Sequence, residues 1–83
     1  MPLFMDVHQT LPEGATADDL IGAHEADLKT QDKYGVKYVN FWGDPDGGKA
    51  FCLVEAPDAE TAAAVHREAH GLLADEIHPV FQG

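Results

Sequence analysis

Asp44-Pro45-Asp46-Gly47-Gly48 is the most restrictive stretch of this chain, because it separates two runs with strand character, residues 36–42 and 49–56. Proline and aspartate open a turn, and glycines supply the positive φ angles that close it, so the segment reads as a hairpin. A loop over residues 45–48 pairs Asp44 with Lys49 and then sets the register of everything before it. Trp42 meets Phe51, Asn40 meets Leu53 and Tyr38 meets Glu55 on one face. Phe41 meets Cys52 and Val39 meets Val54 on the other.

The flanking sequence supplies the remaining elements. Residues 3–8 alternate, with Leu3, Met5 and Val7 on one side and Phe4, Asp6 and His8 on the other, which predicts a first strand. Residues 9–16 hold Pro12 and Gly14 and read as a loop. Thr16 is placed to cap a helix to about residue 33, with Asp18 and Asp19 in its first turn. That helix carries Leu20, Ile21, His24, Leu28 and Gln31 at helical spacing, and Tyr34-Gly35 ends it. Pro57 stops the third strand, Asp58 caps an alanine-rich helix to about residue 70, and Gly71 closes it. Residues 76–81 form a short last strand, which Pro79 confines to a sheet edge.

The order β-α-β-β-α-β is the ferredoxin-like arrangement. It implies one α+β domain over residues 1–83, a four-stranded antiparallel sheet with two helices on one face. The uniformly apolar hairpin face, Phe41, Cys52, Val39 and Val54, is expected to pack on the helices with Leu3, Met5 and Val7. Phe4, Asp6, His8, Tyr38, Asn40, Trp42, Phe51, Leu53 and Glu55 then remain on the other face. Four aromatic rings and a leucine are too apolar to leave in water, and the rest of the chain is too short to cover them. A second copy can, so a homodimer through the sheet face, of the dimeric α+β-barrel type, is expected.

Fifteen acidic and five basic residues give a formal charge of −10. Such a field repels phosphate backbones and anionic lipid, which argues against nucleic-acid and membrane-surface roles; it concentrates cations, although acidity alone usually serves solubility. The single cysteine, Cys52, forms no intramolecular disulfide and is expected to face the helix-side core as an inert, small hydrophobe. The opening Met1-Pro2-Leu3-Phe4-Met5 lacks the basic start and long apolar stretch of a signal peptide, and no run approaches the ~18 apolar residues of a membrane span. The cytoplasm is the expected compartment.

Five histidines in so acidic a chain are the candidate chemistry. His66 and His70 stand four apart on the second helix, so their Cβ atoms lie roughly 5–6 Å apart on one face and can share a metal. The competing reading is two packed or solvated imidazoles. His24 lies in the stripe of the first helix between Ile21 and Leu28, and His66 in that of the second. Two adjacent helices each turning a histidine inward favour a site, with Asp27 able to orient His24 or add an oxygen. Taking strands one and three as parallel neighbours brings Glu55 to Asp6 and His8, a second nitrogen/oxygen group at the dimer interface or simply a polar rim. His78, on the edge strand, is expected to be solvated.

Several stretches resemble a family of small bacterial nickel-binding proteins. They are Pro2-Leu3-Phe4-Met5-Asp6-Val7-His8, then Ala23-His24-Glu25-Ala26-Asp27-Leu28 with Gln31 and Tyr34-Gly35-Val36, and Phe51-Cys52-Leu53-Val54-Glu55-Ala56-Pro57. The run from Val65-His66-Arg67-Glu68-Ala69-His70-Gly71 to Asp75-Glu76-Ile77 completes the likeness. The resemblance implies a ferredoxin-like homodimer that binds nickel, with no established catalysis. Imidazole and carboxylate suit Ni(II), Cu(II) and Zn(II) alike, so the choice of nickel rests on the resemblance.

The leading expectation is therefore a divalent-metal protein, for nickel storage, buffering or delivery. Its ligands would be His66 and His70, with His24 as a third and His8, Asp6 and Glu55 as a second group. Metal competes with protons for neutral histidine, so affinity should be flat near pH 8 and fall through about 6.5. The alternative is a cofactor-free barrel enzyme or small-molecule binder. Its cavity would be lined by Phe4, Tyr38, Asn40 and Trp42, with His8 as base and Asp6 as its orienter.

Overall fold

A computed structural model describes all residues, 1–83. The chain runs β1 (Leu3–His8), α1 (Ala17–Thr30), a 3-10 turn (Gln31–Tyr34), β2 (Lys37–Asp44), β3 (Lys49–Glu55), α2 (Ala59–Ala69) and β4 (Glu76–Val80). Thr16 and Asp19 form a reciprocal capping box at the start of α1, and Asp58 accepts from the Thr61 amide at the start of α2. The 3-10 turn closes on Gly35, whose φ of 65° is the left-handed conformation glycine adopts without strain. No helix is long and apolar enough to cross a membrane.

The four strands lie in the order β2-β3-β1-β4, all neighbours antiparallel, an α+β arrangement with Pro79 on an edge as expected. β1 and β3 are therefore not parallel. α1 returns the chain so that β2 runs in the direction of β1, and the hairpin then reverses β3. Glu55 consequently pairs with Leu3, while His8 pairs with Ala50 at the other end of the ladder.

The hairpin register matches expectation from Asp44 opposite Lys49 to Asn40 opposite Leu53. It then slips: Tyr38 stands opposite Val54 and Lys37 opposite Glu55, leaving Val39 as an extra residue in β2. Such a bulge reverses the alternation beyond it, so Tyr38 turns towards the helices. Its ring is buried in the main core with Val36, Cys52, Val54, Ala56, Ala62 and Val65, against which Phe4 and Phe41 pack.

β1 presents Phe4, Asp6 and His8 to the helices, the reverse of the expected face. Asp6 and His8 are 0% and 6% exposed, so this strand buries its polar residues. Leu3, Met5, Val7, Phe51, Leu53 and Trp42 share the other face by alternation. In α1 the inward positions are Leu20 and Asp27, whereas Ile21 and Leu28 are exposed. β2 approaches α1 closely at Gly43, where a Cβ would lie 2.6 Å from Leu20 Cδ1.

Candidate metal centre

Four elements send polar side chains into the layer between sheet and helices. β1 supplies Asp6 and His8, α1 supplies His24 and Asp27, β3 supplies Cys52, and the last turns of α2 supply His66 and His70. The C-terminal end of a helix carries partial negative charge, so α2 delivers its two imidazoles where a cation is favoured.

His66 is the centre of the arrangement and is 1% exposed. Its Nδ1 is hydrogen-bonded to Asp27 Oδ1 at 2.9 Å, and its Nε2 lies 2.9 Å from Asp6 Oδ2. The Nε2 contact has ion-pair distance but not the alignment of a hydrogen bond, so that nitrogen has no hydrogen-bond partner. Burial alone would push His66 down. The carboxylates of Asp27 and Asp6 outweigh it and hold the imidazolium up at about 11. Asp27 shows the reverse balance. Burial would raise it, but His66 and His70 keep it below the usual carboxylate range.

His70 Nδ1 accepts from the Leu72 amide at 3.0 Å, which leaves Nε2 as the other functional nitrogen. That Nε2 lies 3.0 Å from Asp27 Oδ1, again off the line of a hydrogen bond. Tyr38 stacks on His66 with ring centroids 4.7 Å apart, and its hydroxyl donates to the Ala62 carbonyl at 2.9 Å, 3.3 Å from Asp6 Oδ2. Burial and the Asp6 carboxylate push its phenol far up, so it stays a neutral donor.

A cavity of about 30 Å³ runs among these groups, enough for one water-sized occupant. His8, His24, His66 and His70 all line it, with Asp27 and Cys52, inside an apolar rim that includes Leu11, Leu20 and Phe41. The His24 ring packs tilted against Phe41 with centroids 4.6 Å apart, and its Nδ1 is buried without a partner. Burial lowers both His8 and His24 from the ordinary histidine value, and the neighbouring His66 cation adds to the effect. These two imidazoles are neutral at pH 7 and present lone pairs.

The two groups expected from sequence are thus one. His66, His70, His24 and His8 meet in a single cavity and Asp6 stands behind His66, on the helix side and not at an interface between sheet faces. Glu55 is not brought in; it pairs with Leu3 and Lys37 at the far end of the sheet. His78 is exposed and bonds only Glu76, at 2.8 Å. The barrel-type cavity is divided as well, since Phe4, Tyr38, Asp6 and His8 face the helices and only Asn40 and Trp42 of that set remain on the open face.

Asp27 and Cys52 have neighbours that the sequence does not show. Asp27 has a legible signal, standing three residues after His24 and seven after Leu20 on the buried stripe of α1. Cys52 is in the core as expected, but that core is where the histidines are.

Comparison with known proteins bears on the same residues. The family model described as nickel responsive protein SCO4226-like matches residues 4–80, nearly the whole chain. The chain belongs to that family. The crystal structure of SCO4226 from Streptomyces coelicolor A3(2) superposes with a TM-score of 0.87 at 43% sequence identity, covering 98% of each chain. Comparison with the curated proteins finds no match. The likeness bears out the ferredoxin-like fold, and the family's description joins this chain to a nickel-responsive group.

Proposed function

We propose that this chain binds a divalent d-block metal ion, nickel foremost, in the cavity between sheet and helices, and serves in its storage, buffering or delivery. The observation that carries the reading is that four of the five histidines line one small cavity together with a buried carboxylate and a thiol. Ligand atoms of Asp27, His66 and His70 lie within 4.8 Å of one another. Donors on one ion stand roughly 3–4 Å apart when each bond is about 2.1 Å, so small side-chain movements suffice. His66 and His70 are the anchoring imidazoles, His8 and His24 supply further nitrogens, and Asp6 and Asp27 hold the imidazoles in orientation.

Imidazole with carboxylate suits nickel, copper and zinc, and the intrinsic order places nickel below copper. The family supports nickel among them. Isothermal titration with Ni(II) at neutral pH should give saturable binding, and replacing His66 and His70 together by alanine should remove it. Saturable binding by the double variant equal to that of the parent would move the site away from α2. No binding by the parent would end the metal reading and leave Asp6, His66 and Asp27 as a self-contained buried charge network.

Pairing of two copies through the open sheet face belongs to the same proposal. Half-buried Met5, Val7 and Phe51 form an apolar band there around Leu53, which is only 4% exposed, and Trp42 beside it is 50% exposed. Sedimentation should give twice the 9.0 kDa chain mass, and Trp42→Lys should shift it towards the monomer. A parent that sediments as a monomer at micromolar concentration refutes the pairing.

A further inference from the structure

His66 is asymmetric in its bonding. Nδ1 has a true partner in Asp27, at 2.9 Å, while Nε2 has none although the residue is 1% exposed. That nitrogen makes only an unaligned 2.9 Å contact with Asp6 Oδ2, so on losing its proton His66 takes the form of metal-binding histidines, with the Asp27 carboxylate fixing the ring through Nδ1. A second orphan lies beside it, Asp6 Oδ1, on a side chain that is 0% exposed. Buried polar atoms without partners are few in folded proteins, and here they fall together.

The donors on that side come from the sheet. Cys52 stands opposite Asp6 on the neighbouring strand, one rung pair from His8, and strand alternation puts all three on the helix-facing side. Ligand atoms of His8, Cys52 and His66 lie within 4.8 Å of one another, and all three residues are buried.

We propose that Cys52 is itself a metal ligand, binding as a thiolate together with His8 and with His66 through Nε2, while Asp27 holds His66 from behind. The proposal rests on the metal-binding reading above and narrows it to ions that accept sulfur. Two imidazoles and a thiolate favour Ni(II), Cu and Zn(II) and disfavour Mg(II), Ca(II) and Mn(II), which prefer oxygen. Without an ion the thiol stays protonated, because burial pushes Cys52 up more than His66 offsets. Binding therefore breaks the S–H bond of Cys52 and the N–H bond at His66 Nε2, forms a sulfur–metal and a nitrogen–metal bond, and releases both protons to solvent.

Titration of the parent chain with nickel(II) chloride, followed by absorption and calorimetry, tests this without any variant. The expected result is a near-ultraviolet sulfur-to-nickel charge-transfer band that rises with the binding isotherm. Cys52→Ser, which keeps the side-chain size, should lose the band and bind nickel at least tenfold more weakly, with circular dichroism reporting an intact fold. Saturable nickel binding with no such band, or an affinity unchanged in Cys52→Ser, overturns the thiolate ligand and leaves the histidine site standing. No saturable binding by the parent overturns both.

Discussion

Proton release on nickel binding distinguishes the buried centre from any surface histidine pair. Both nitrogens of His66 face carboxylates, and the imidazolium is held up at about 11. A metal on Nε2 must displace the proton there. At pH 7 that proton is bound about four units below its dissociation, so displacing it costs on the order of 5 kcal/mol. His8 and His24 are lowered by burial and add nothing to the count, being already neutral. The apparent affinity should therefore rise about tenfold per pH unit for the His66 proton, through pH 8 and beyond, and twice as steeply on a logarithmic scale if Cys52 also loses its proton. The sequence suggests instead a plateau near pH 8, because an ordinary histidine is fully neutral there. Calorimetric titration in buffers of different ionisation enthalpy counts the protons directly, and between about pH 7 and 8.5 the count should lie between one and two. A count near zero with flat affinity over that range, while nickel still binds, refutes the assignment of His66 as a ligand.

Three further outcomes follow from the same geometry. His66→Gln leaves Asp6 and Asp27 buried without a cation, so metal-free stability in urea should fall by about 3–5 kcal/mol, the usual cost of breaking a buried pair. Because the His66 value is raised in the folded chain, its contribution is complete below about 6.5 and is lost as pH rises towards 11; metal-free stability should decline on the alkaline side in the parent and not in His66→Gln. Gly43→Ala sets a Cβ 2.6 Å from Leu20 Cδ1, a side-chain end that can turn aside, so thermal unfolding should show a loss near the lower end of the ~1–3 kcal/mol seen for overpacking.

Local chemistry was written in the sequence where local chemistry decided the outcome. Thr16 and Asp58 cap their helices, Gly35 takes the left-handed turn, Pro79 lies on an edge strand, and the hairpin holds its register from Asp44 to Asn40. The failure begins at one residue. Val39 is β-branched and apolar, as good a strand residue as its neighbours, and nothing in its own chemistry marks it as the bulge. What decides the matter lies elsewhere. Tyr38 must turn inward so that its ring stacks on His66 and its hydroxyl reaches Ala62 and Asp6, and the extra residue is the geometric means of turning it.

The same interaction explains why the polar face of β1 is the buried one. Alternation assigns Asp6 and His8 to the face away from the helices, because Leu3, Met5 and Val7 make the more apolar side of the strand, and that rule is sound for a strand considered alone. Asp6 is not alone. His66 stands sixty residues away in sequence and 2.9 Å away in space, and α1 adds Asp27 on the opposite nitrogen, so the imidazolium is compensated on both sides. Periodicity reports which residues share a face but not which partner will meet that face. Two acidic residues and a histidine on three separate elements carry no mutual signature until the layers close. The feature that was legible, His66 and His70 one turn apart, is the part of the centre that lies on a single element. Everything else in it depends on tertiary pairing: the inward turn of β1, the bulge at Val39, and the convergence of Asp27 with Cys52. A core built this way gives up apolar packing at its centre for an arrangement of charge around a small cavity.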